Sequence, residues 1–242
     1  MISPLAELDR FVRAALLQPV SSADRPAPTA RALRRRRLVA GLTILVGGVM
    51  LALTLRADSG STLFFALGIV LAVIWACGAV ASGPLRLGYA RTRRGARSRA
   101  VVQSLALATM LLVVFLLGAL AVAQIPPLRD PVLSLLDHGT VGPLPLVVLL
   151  TVVNGVAEEM FFRGALYSAV PPRHAVAVTT ALYALTTVGS GVPLLVLAAM
   201  LLGLVTALQR RVTGGILGPI ITHVTWSSAM LLLLPPVLNL AR

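Results

Sequence analysis

The chain has 242 residues, 57% of them hydrophobic, with a mean hydropathy of +0.93 and a formal net charge of +13. This composition excludes a soluble globular domain and indicates an integral membrane protein. All 21 basic residues are arginine. They cluster beside apolar segments rather than on a basic face interleaved with aromatics, which argues against nucleic-acid binding. The one cysteine, Cys77, lies in an apolar run; it forms no intrachain disulfide and is interpreted as a packing residue.

Residues 1–37 form a polar region that we predict to be cytoplasmic. Apolar residues recur at helical spacing from Leu5 to Leu16, with charged residues between them. The pattern predicts a short amphipathic helix on the membrane surface, and a cytosolic packing helix fits nearly as well. No cleaved signal peptide is predicted, because the next apolar stretch is of spanning length and lacks a convincing cleavage site.

Seven apolar segments follow, each long enough, or nearly so, to cross a hydrocarbon core of about 30 Å. We therefore predict an all-α, polytopic membrane protein. Three transmembrane helices fall within 38–124, an extracytoplasmic loop covers 125–143, and a four-helix core with a polar intramembrane cavity covers 144–242. The seven segments are 38–56, 62–82, 100–124, 144–164, 173–189, 192–209 and 216–236. In an alternative reading the fourth runs on past Arg163 to Val170, where Pro171 and Pro172 stop it.

The distribution of arginine predicts the orientation. The N-terminal region carries eight arginines and the 83–99 loop six, and both fall on one side of the membrane. The opposite loops hold only Arg56 and Arg129, offset by aspartates. By the positive-inside rule the N-terminus is cytoplasmic and, after seven crossings, the C-terminus is outside. We expect a bacterial inner (plasma) membrane protein whose fourth segment carries a charged cluster near its cytoplasmic end.

That cluster consists of two adjacent glutamates and an arginine. Ionisable groups inside a membrane helix cost about 2.5–3.5 kcal/mol each, so they persist mainly when paired, facing a cavity or functional. Glu159 and Arg163 are four residues apart on one helix face, which predicts a structural ion pair. Glu158 points about 100° away, on the face of Asn154, and is left for chemistry. Alternatively, all three residues form a buried cluster that only fixes helix packing.

Polar side chains recur in two other segments at positions that share a helix face. His223 and Ser227 are four residues apart in the seventh segment, and Tyr183 and Thr187 are four apart in the fifth. Intramembrane hydroxyls usually bond to their own helix or link neighbours, and a lone histidine on an apolar helix is more often a packing residue. Together with Asn154, these residues are the candidates to line the cavity.

A tightly held metal is not predicted. Zinc sites use about three protein ligands. Glu158, Glu159 and His223 could just supply three, but Glu159 is already engaged in the ion pair, and no His-Glu-x-x-His pair occurs. A weakly bound divalent metal such as zinc, on Glu158 and His223, stays open. The other histidines, His138 in an outer loop and His174 at the cytoplasmic boundary, are interpreted as surface residues.

Two runs resemble motifs of one protein family. The run from Glu158 to Gly164 resembles the Glu-Glu-x-x-x-Arg signature of the CPBP family, multi-spanning membrane proteins named for type II CAAX prenyl proteases and bacteriocin-processing or immunity proteins. The run from Arg211 to His223 is similar to the family's final motif, an arginine-threonine-glycine turn leading to a helix with His-x-x-x-Asn/Asp. The resemblance covers about residues 144–236; residues 1–143 are not distinctive.

The resemblance implies a role for each matching residue. Glu158 would be the base that activates a water molecule. Glu159 and Arg163 would be the structural pair, and His223 an oxyanion-stabilising or water-positioning group. Excluding bulk water from such a site strengthens each aligned hydrogen-bond donor.

Two positions depart from the family's pattern. Thr187 stands where the middle motif, Phe-x-x-x-His, has its histidine, and threonine neither shuttles protons near neutral pH nor binds metals well. Ser227 stands at the final Asn/Asp position, a milder change because serine still donates a hydrogen bond. These departures leave the fold expectation intact and weaken the expectation of activity.

The leading hypothesis is an intramembrane endopeptidase that hydrolyses membrane-associated peptides or proteins with water activated by Glu158. The alternative is a catalytically inactive scaffold or partner subunit for another membrane protein, which the missing histidine favours. A transporter or lipid-binding protein ranks last, because transport needs a pathway open to both faces while the charged cluster lies near one.

Overall fold

The structure, a computed structural model, describes residues 3–19, 28–58, 60–91, 96–140 and 142–240. Almost all of this part of the chain is helical, which confirms the predicted all-α class. The helices are α1 (Pro4–Val12), α2 (Ala30–Arg56), α3 (Thr62–Ser82), α4 (Val101–Ala123), α5 (Pro126–Thr140), α6 (Leu144–Ala169), α7 (Ala175–Thr187), α8 (Pro193–Thr213) and α9 (Leu217–Leu240). Two-residue strands, β1 (Ala90–Arg91) and β2 (Arg97–Ser98), pair antiparallel between α3 and α4.

Six helices in the described part of the chain are long and apolar enough to cross a membrane, namely α2, α3, α4, α6, α8 and α9. This confirms a polytopic membrane protein. The remaining predicted segment, 173–189, forms the shorter apolar helix Ala175–Ser190, which includes a final 3₁₀ turn. At about 1.5 Å per residue this helix is shorter than a hydrocarbon core of about 30 Å.

Six of the helices close into a ring. Around it α2 packs on α3, α3 on α6, α6 on α9, α9 on α8, α8 on α7, and α7 on α2, while α4 packs outside the ring on α9. Small residues bring α2 and α3 together: a Cβ atom at Gly47 would overlap the ring of Trp75, and one at Gly78 would overlap Thr43. Close approach at small residues is the usual way for membrane helices to associate.

An aromatic cluster fills one half of the ring. Trp75 stacks on Phe161 with ring centroids 4.9 Å apart, and Phe162 lies 5.1 Å from Trp75 and 4.8 Å from Tyr183. Trp75, Phe161 and Phe162 are fully buried. Because both phenylalanines follow Glu158 on α6, they fill the interior between the helices on the side of Glu158 that faces the arginine-rich end of the bundle.

Two helices include residues that the sequence pattern does not predict to be helical. The segment 125–143, predicted as a loop, contains α5, whose Val132, Leu133 and Leu136 pack against Ala123 and Leu238. The sequence pattern does not predict this helix because it contains three prolines, which are typical of loops. Two of them occupy the first turn, where proline costs no hydrogen bond, and one lies inside the helix. Helix α2 begins eight residues before the predicted segment, so the run of four arginines is part of it.

The N-terminal helix lies where the amphipathic pattern predicts one. After Val12 it continues in widened π turns over Arg13–Leu17, which pack on α8. Ala15 is fully buried and Arg211 donates to the carbonyl oxygen of Leu16 at 3.3 Å. These contacts favour the packing interpretation of this helix over a purely membrane-surface one.

Candidate active site

Helix α6 carries the charged cluster about halfway along its length. Its α-helical part, Leu144–Glu159, passes into π turns over Met160–Leu166 and ends in one short turn. π turns inside α-helices occur frequently at functional sites. Since α6 runs on to Ala169, Glu158 lies nearer the middle of the helix than the predicted position near its cytoplasmic end.

Glu159 and Arg163 form a fully buried ion pair. Arg163 Nη1 lies 3.1 Å from Glu159 Oε1, and neither side chain has any exposed surface. Arg163 Nη2 donates to the carbonyl oxygen of Gly203 on α8 at 3.2 Å, and the guanidinium lies 4.7 Å from the centre of the Tyr183 ring. Through Arg163, the ion pair therefore links α6 to α7 and α8.

Glu159 also holds the imidazole of His223. The distance from His223 Nδ1 to Glu159 Oε1 is 2.8 Å. An ionised carboxylate only accepts hydrogen bonds, so we assign the Nδ1 hydrogen to this contact. The other nitrogen, Nε2, then faces Glu158, whose Oε2 is 3.9 Å away. Glu159 thus joins the arginine to the histidine and fixes the orientation of the ring.

Glu158 is the carboxylate that reaches open space. Its side chain keeps 14% of its surface exposed, whereas that of Glu159 keeps none. The Tyr183 hydroxyl donates to Glu158 Oε2 at 2.7 Å. A phenol from α7 and an imidazole from α9 therefore flank the same oxygen atom.

The cavity beside Glu158 has a volume of about 240 Å³. The structure places every candidate cavity residue in its lining: Asn154, Glu158, Tyr183, Thr187, His223 and Ser227. Leu51 and Leu55 near the end of α2, and Leu195 near the start of α8, also line it. The cavity therefore extends from Glu158 towards the arginine-poor end of the bundle.

Three polar side chains of the lining differ in what they offer a ligand. Thr187 Oγ1 donates to the carbonyl oxygen of Ala184 on its own helix at 2.7 Å. Asn154 Nδ2 donates to the carbonyl oxygens of Gly68 and Leu150, while its buried Oδ1 has no hydrogen-bond partner among the described residues. The indole nitrogen of Trp226 is likewise buried without a partner there.

The chain was compared with models of protein families. The family model for Type II CAAX prenyl endopeptidase Rce1-like proteins matches residues 140–229. This stretch is therefore similar to the Rce1-like type II CAAX prenyl endopeptidases. The match confirms the family that the two sequence motifs predict, and it includes Glu158, Glu159, Arg163 and His223. Searches among curated proteins and among solved structures gave no match.

The Rce1-like region does not fit a tightly held metal ion. In the described part of the chain, no three His, Cys, Asp or Glu side chains converge as metal ligands. Glu158 and His223 Nε2 would supply two, and Glu159 is engaged by both Arg163 and His223. Structural and catalytic zinc sites use at least three protein ligands, so we derive no metal-dependent step.

Sequence reasoning missed two contacts within the Rce1-like region. It assigned Glu159 to Arg163 alone, whereas the same oxygen also binds His223. It treated Tyr183 only as a lining residue, whereas its hydroxyl binds Glu158. Both contacts join residues on different helices, which helical spacing within one segment does not reveal.

The other two histidines of the chain are His174 and His138. His174 is exposed at the start of α7, where its Nε2 accepts a hydrogen bond from Arg173 at 2.9 Å. It does not replace the histidine missing at position 187. The side chain of His138 lies outside what the structure describes.

Proposed function

We propose that the chain is an intramembrane, glutamate-dependent endopeptidase acting on membrane-associated peptides or proteins. The observation that carries the proposal is the position of Glu158. It is the accessible carboxylate of a buried charged cluster, it faces a cavity, and two further side chains flank it. The Rce1-like match supports a protease-like membrane protein.

In the proposed reaction Glu158 takes a proton from a water molecule as the water oxygen attacks the carbonyl carbon of the scissile peptide bond. Collapse of the tetrahedral intermediate breaks the C–N bond, and the proton passes from Glu158 to the leaving amine. General-base catalysis of this kind contributes roughly 10²–10⁴-fold to the rate. His223 would position the water by accepting a hydrogen bond at Nε2, or stabilise the oxyanion in its imidazolium form, in which Nε2 also carries a hydrogen. Ser227 lies in the same cavity as a hydroxyl donor.

The Glu159–Arg163 pair would hold this arrangement in place without contacting the substrate. With Glu159 and Arg163 both charged, their charges cancel, and the Nδ1 hydrogen bond keeps His223 Nε2 turned to Glu158. We further propose that the arginine-rich end of the bundle faces the cytoplasm of a plasma membrane.

The second candidate is a catalytically inactive membrane scaffold or partner subunit. One observation favours it: the Thr187 hydroxyl bonds to the backbone of its own helix, so the position of the family's middle histidine supplies no proton-transfer group.

Comparing new protein N-termini in host membranes separates the two candidates. A deletion strain is complemented with wild type, Glu158→Gln, Thr187→Ala and, as the matched control, Glu7→Gln outside the cavity, all at equal protein levels. The protease proposal expects fragments with wild type and Glu7→Gln that disappear with Glu158→Gln; survival of the fragments in Thr187→Ala shows that position 187 is dispensable. Identical termini in wild type and Glu158→Gln, together with a phenotype on deletion, would establish the scaffold.

A further inference from the structure

A second and larger pocket lies at the arginine-rich end of the bundle, apart from the cavity of Glu158. Its volume is about 930 Å³, near the upper end of the roughly 300–1,000 Å³ typical of small-molecule sites. Its walls come from the first turns of α2, the segment after α3, and the C-terminal ends of α6 and α8. The proposed reaction uses no residue of this pocket.

The pocket is strongly basic. Its described lining contains no aspartate or glutamate but six arginines: Arg35, Arg36, Arg37, Arg86, Arg210 and Arg211.

Several of these guanidinium groups are held by neutral acceptors. Arg36 donates to the carbonyl oxygens of Ser82 and Pro84, each at 3.4 Å, and Arg37 donates to that of Ala169 at 3.1 Å. Such bonds fix the direction of a guanidinium without neutralising its charge. Arg35 and Arg86 also act on Arg36 by charge repulsion. An anion between them would relieve this repulsion.

We propose that this basic pocket binds the phosphate ester of an anionic lipid headgroup. Arginine binds phosphate oxygens through paired N–H donors, and basic pockets between membrane helices recognise anionic headgroups. The pocket lies beside Arg35, Arg36 and Arg37, directly before the apolar part of α2, and arginines next to an apolar span are expected near the lipid headgroups. Directly after Arg37 the outer face of α2 is apolar, with Leu38, Leu42 and Leu45 each more than 60% exposed. This face provides a path for the acyl chains.

A hydrogen bond links this pocket to the charged cluster of Glu158, Glu159 and Arg163. Arg210 Nε donates to the carbonyl oxygen of Arg163 at 2.7 Å, and the Arg210 guanidinium lies 5.1 Å from the centre of the Tyr167 ring. A lipid bound here would join α2, α6 and α8 at this end. Binding of anionic lipid should therefore raise the thermal stability of the chain.

The test measures lipid affinity of the full chain in neutral detergent with phosphatidylglycerol, phosphatidylcholine and soluble glycerol 1-phosphate. The test variant is Arg35→Gln/Arg86→Gln, because both side chains are exposed. The matched control is Arg31→Gln/Arg34→Gln, which makes the same charge change on exposed residues of α2 outside the pocket. We expect wild type and the control to prefer phosphatidylglycerol, and the test variant to bind it about 30-fold more weakly.

Three results would overturn the proposal. Equal weakening in both double variants would mean a general charge effect. Equal affinity for phosphatidylcholine and phosphatidylglycerol would exclude recognition of an anionic headgroup. Saturation by glycerol 1-phosphate at the concentrations that phosphatidylglycerol needs would assign the site to a soluble phosphate. If the double variant folds poorly, Arg86→Gln alone is measured instead, with an expected loss of about 5-fold.

Discussion

At the scale of single residues, Arg163 is expected to matter more for folding than for chemistry. Replacing it with alanine leaves Glu159 buried without its cation, and breaking a buried ion pair in this way costs about 3–5 kcal/mol. We predict that Arg163→Ala lowers the yield of folded protein and its melting temperature in detergent. Arg173→Ala, at an exposed position, is the control. A normal yield and melting temperature for Arg163→Ala would show that the pair is not structural.

The hydroxyl of Tyr183 can be tested separately from its ring. Tyr183→Phe removes the hydrogen bond to Glu158 but keeps the ring, which packs on Phe162 and under the guanidinium of Arg163. Hydrogen bonds to charged groups contribute about 1.5–3 kcal/mol. If Glu158 is the base, cleavage of a substrate should fall about 10- to 100-fold in protein that still folds, and the lost hydrogen bond should lower the melting temperature by several degrees. Tyr89→Phe, outside the cavity, should retain full activity; equal rates for the two variants would remove Tyr183 from the site.

At the scale of elements, a glycine turn positions the helix that carries His223. Gly214, at a φ of 70°, ends α8. The segment after α3 packs against the residues that follow, because the N–H groups of Ile216 and Leu217 donate to the carbonyl oxygens of Arg86 and Leu87. A Cβ atom at Gly215 would overlap the backbone of Leu87 and Gly88. The arginine-threonine-glycine motif therefore docks the segment after α3 against the start of α9.

Because the two segments approach closely at Gly215, adding one methyl group there should lower the stability of the chain. Gly215→Ala should destabilise the chain by about 1–3 kcal/mol, because backbone rather than a flexible side chain must move. Gly41→Ala is the matched control: it lies in α2 with no atom within 4 Å of the added carbon, and alanine favours a helix. The measurement is the melting temperature of both variants in the same detergent. If the two variants melt alike, the close approach of the two segments is wrong.

The sequence predicts those features that depend on neighbouring residues. Uninterrupted apolar length predicts the spanning helices, and the spacing of four between Glu159 and Arg163 predicts their contact. Contacts between helices depend on how the ring closes, which spacing does not contain. The bonds from His223 to Glu159 and from Tyr183 to Glu158 cross 64 and 25 residues of chain. Helix α5 escaped prediction because its prolines resemble those of a loop.

At the scale of the whole molecule, the charged ends and the cavity make a joint prediction about sidedness. The arginines gather at the end where α2 begins and α8 ends, whereas the cavity extends towards the end where α2 finishes and α8 begins. If the arginine-rich end is cytoplasmic, the cavity of Glu158 is approached from the extracytoplasmic half of the membrane. The preferred substrates would then present their scissile bond in that half.

Single cysteines can test this arrangement in intact cells. In a Cys77→Ala background, Thr62→Cys lies at the arginine-poor end and His174→Cys at the arginine-rich end, and both positions are exposed. A membrane-impermeant maleimide should label Thr62→Cys in intact cells and His174→Cys only after permeabilisation, because the positive-inside rule keeps arginine-rich loops in the cytoplasm. Leu195→Cys, in the cavity lining, should react from the same side as Thr62→Cys. The reverse labelling pattern would invert the molecule and move the approach to Glu158 to the cytoplasmic half.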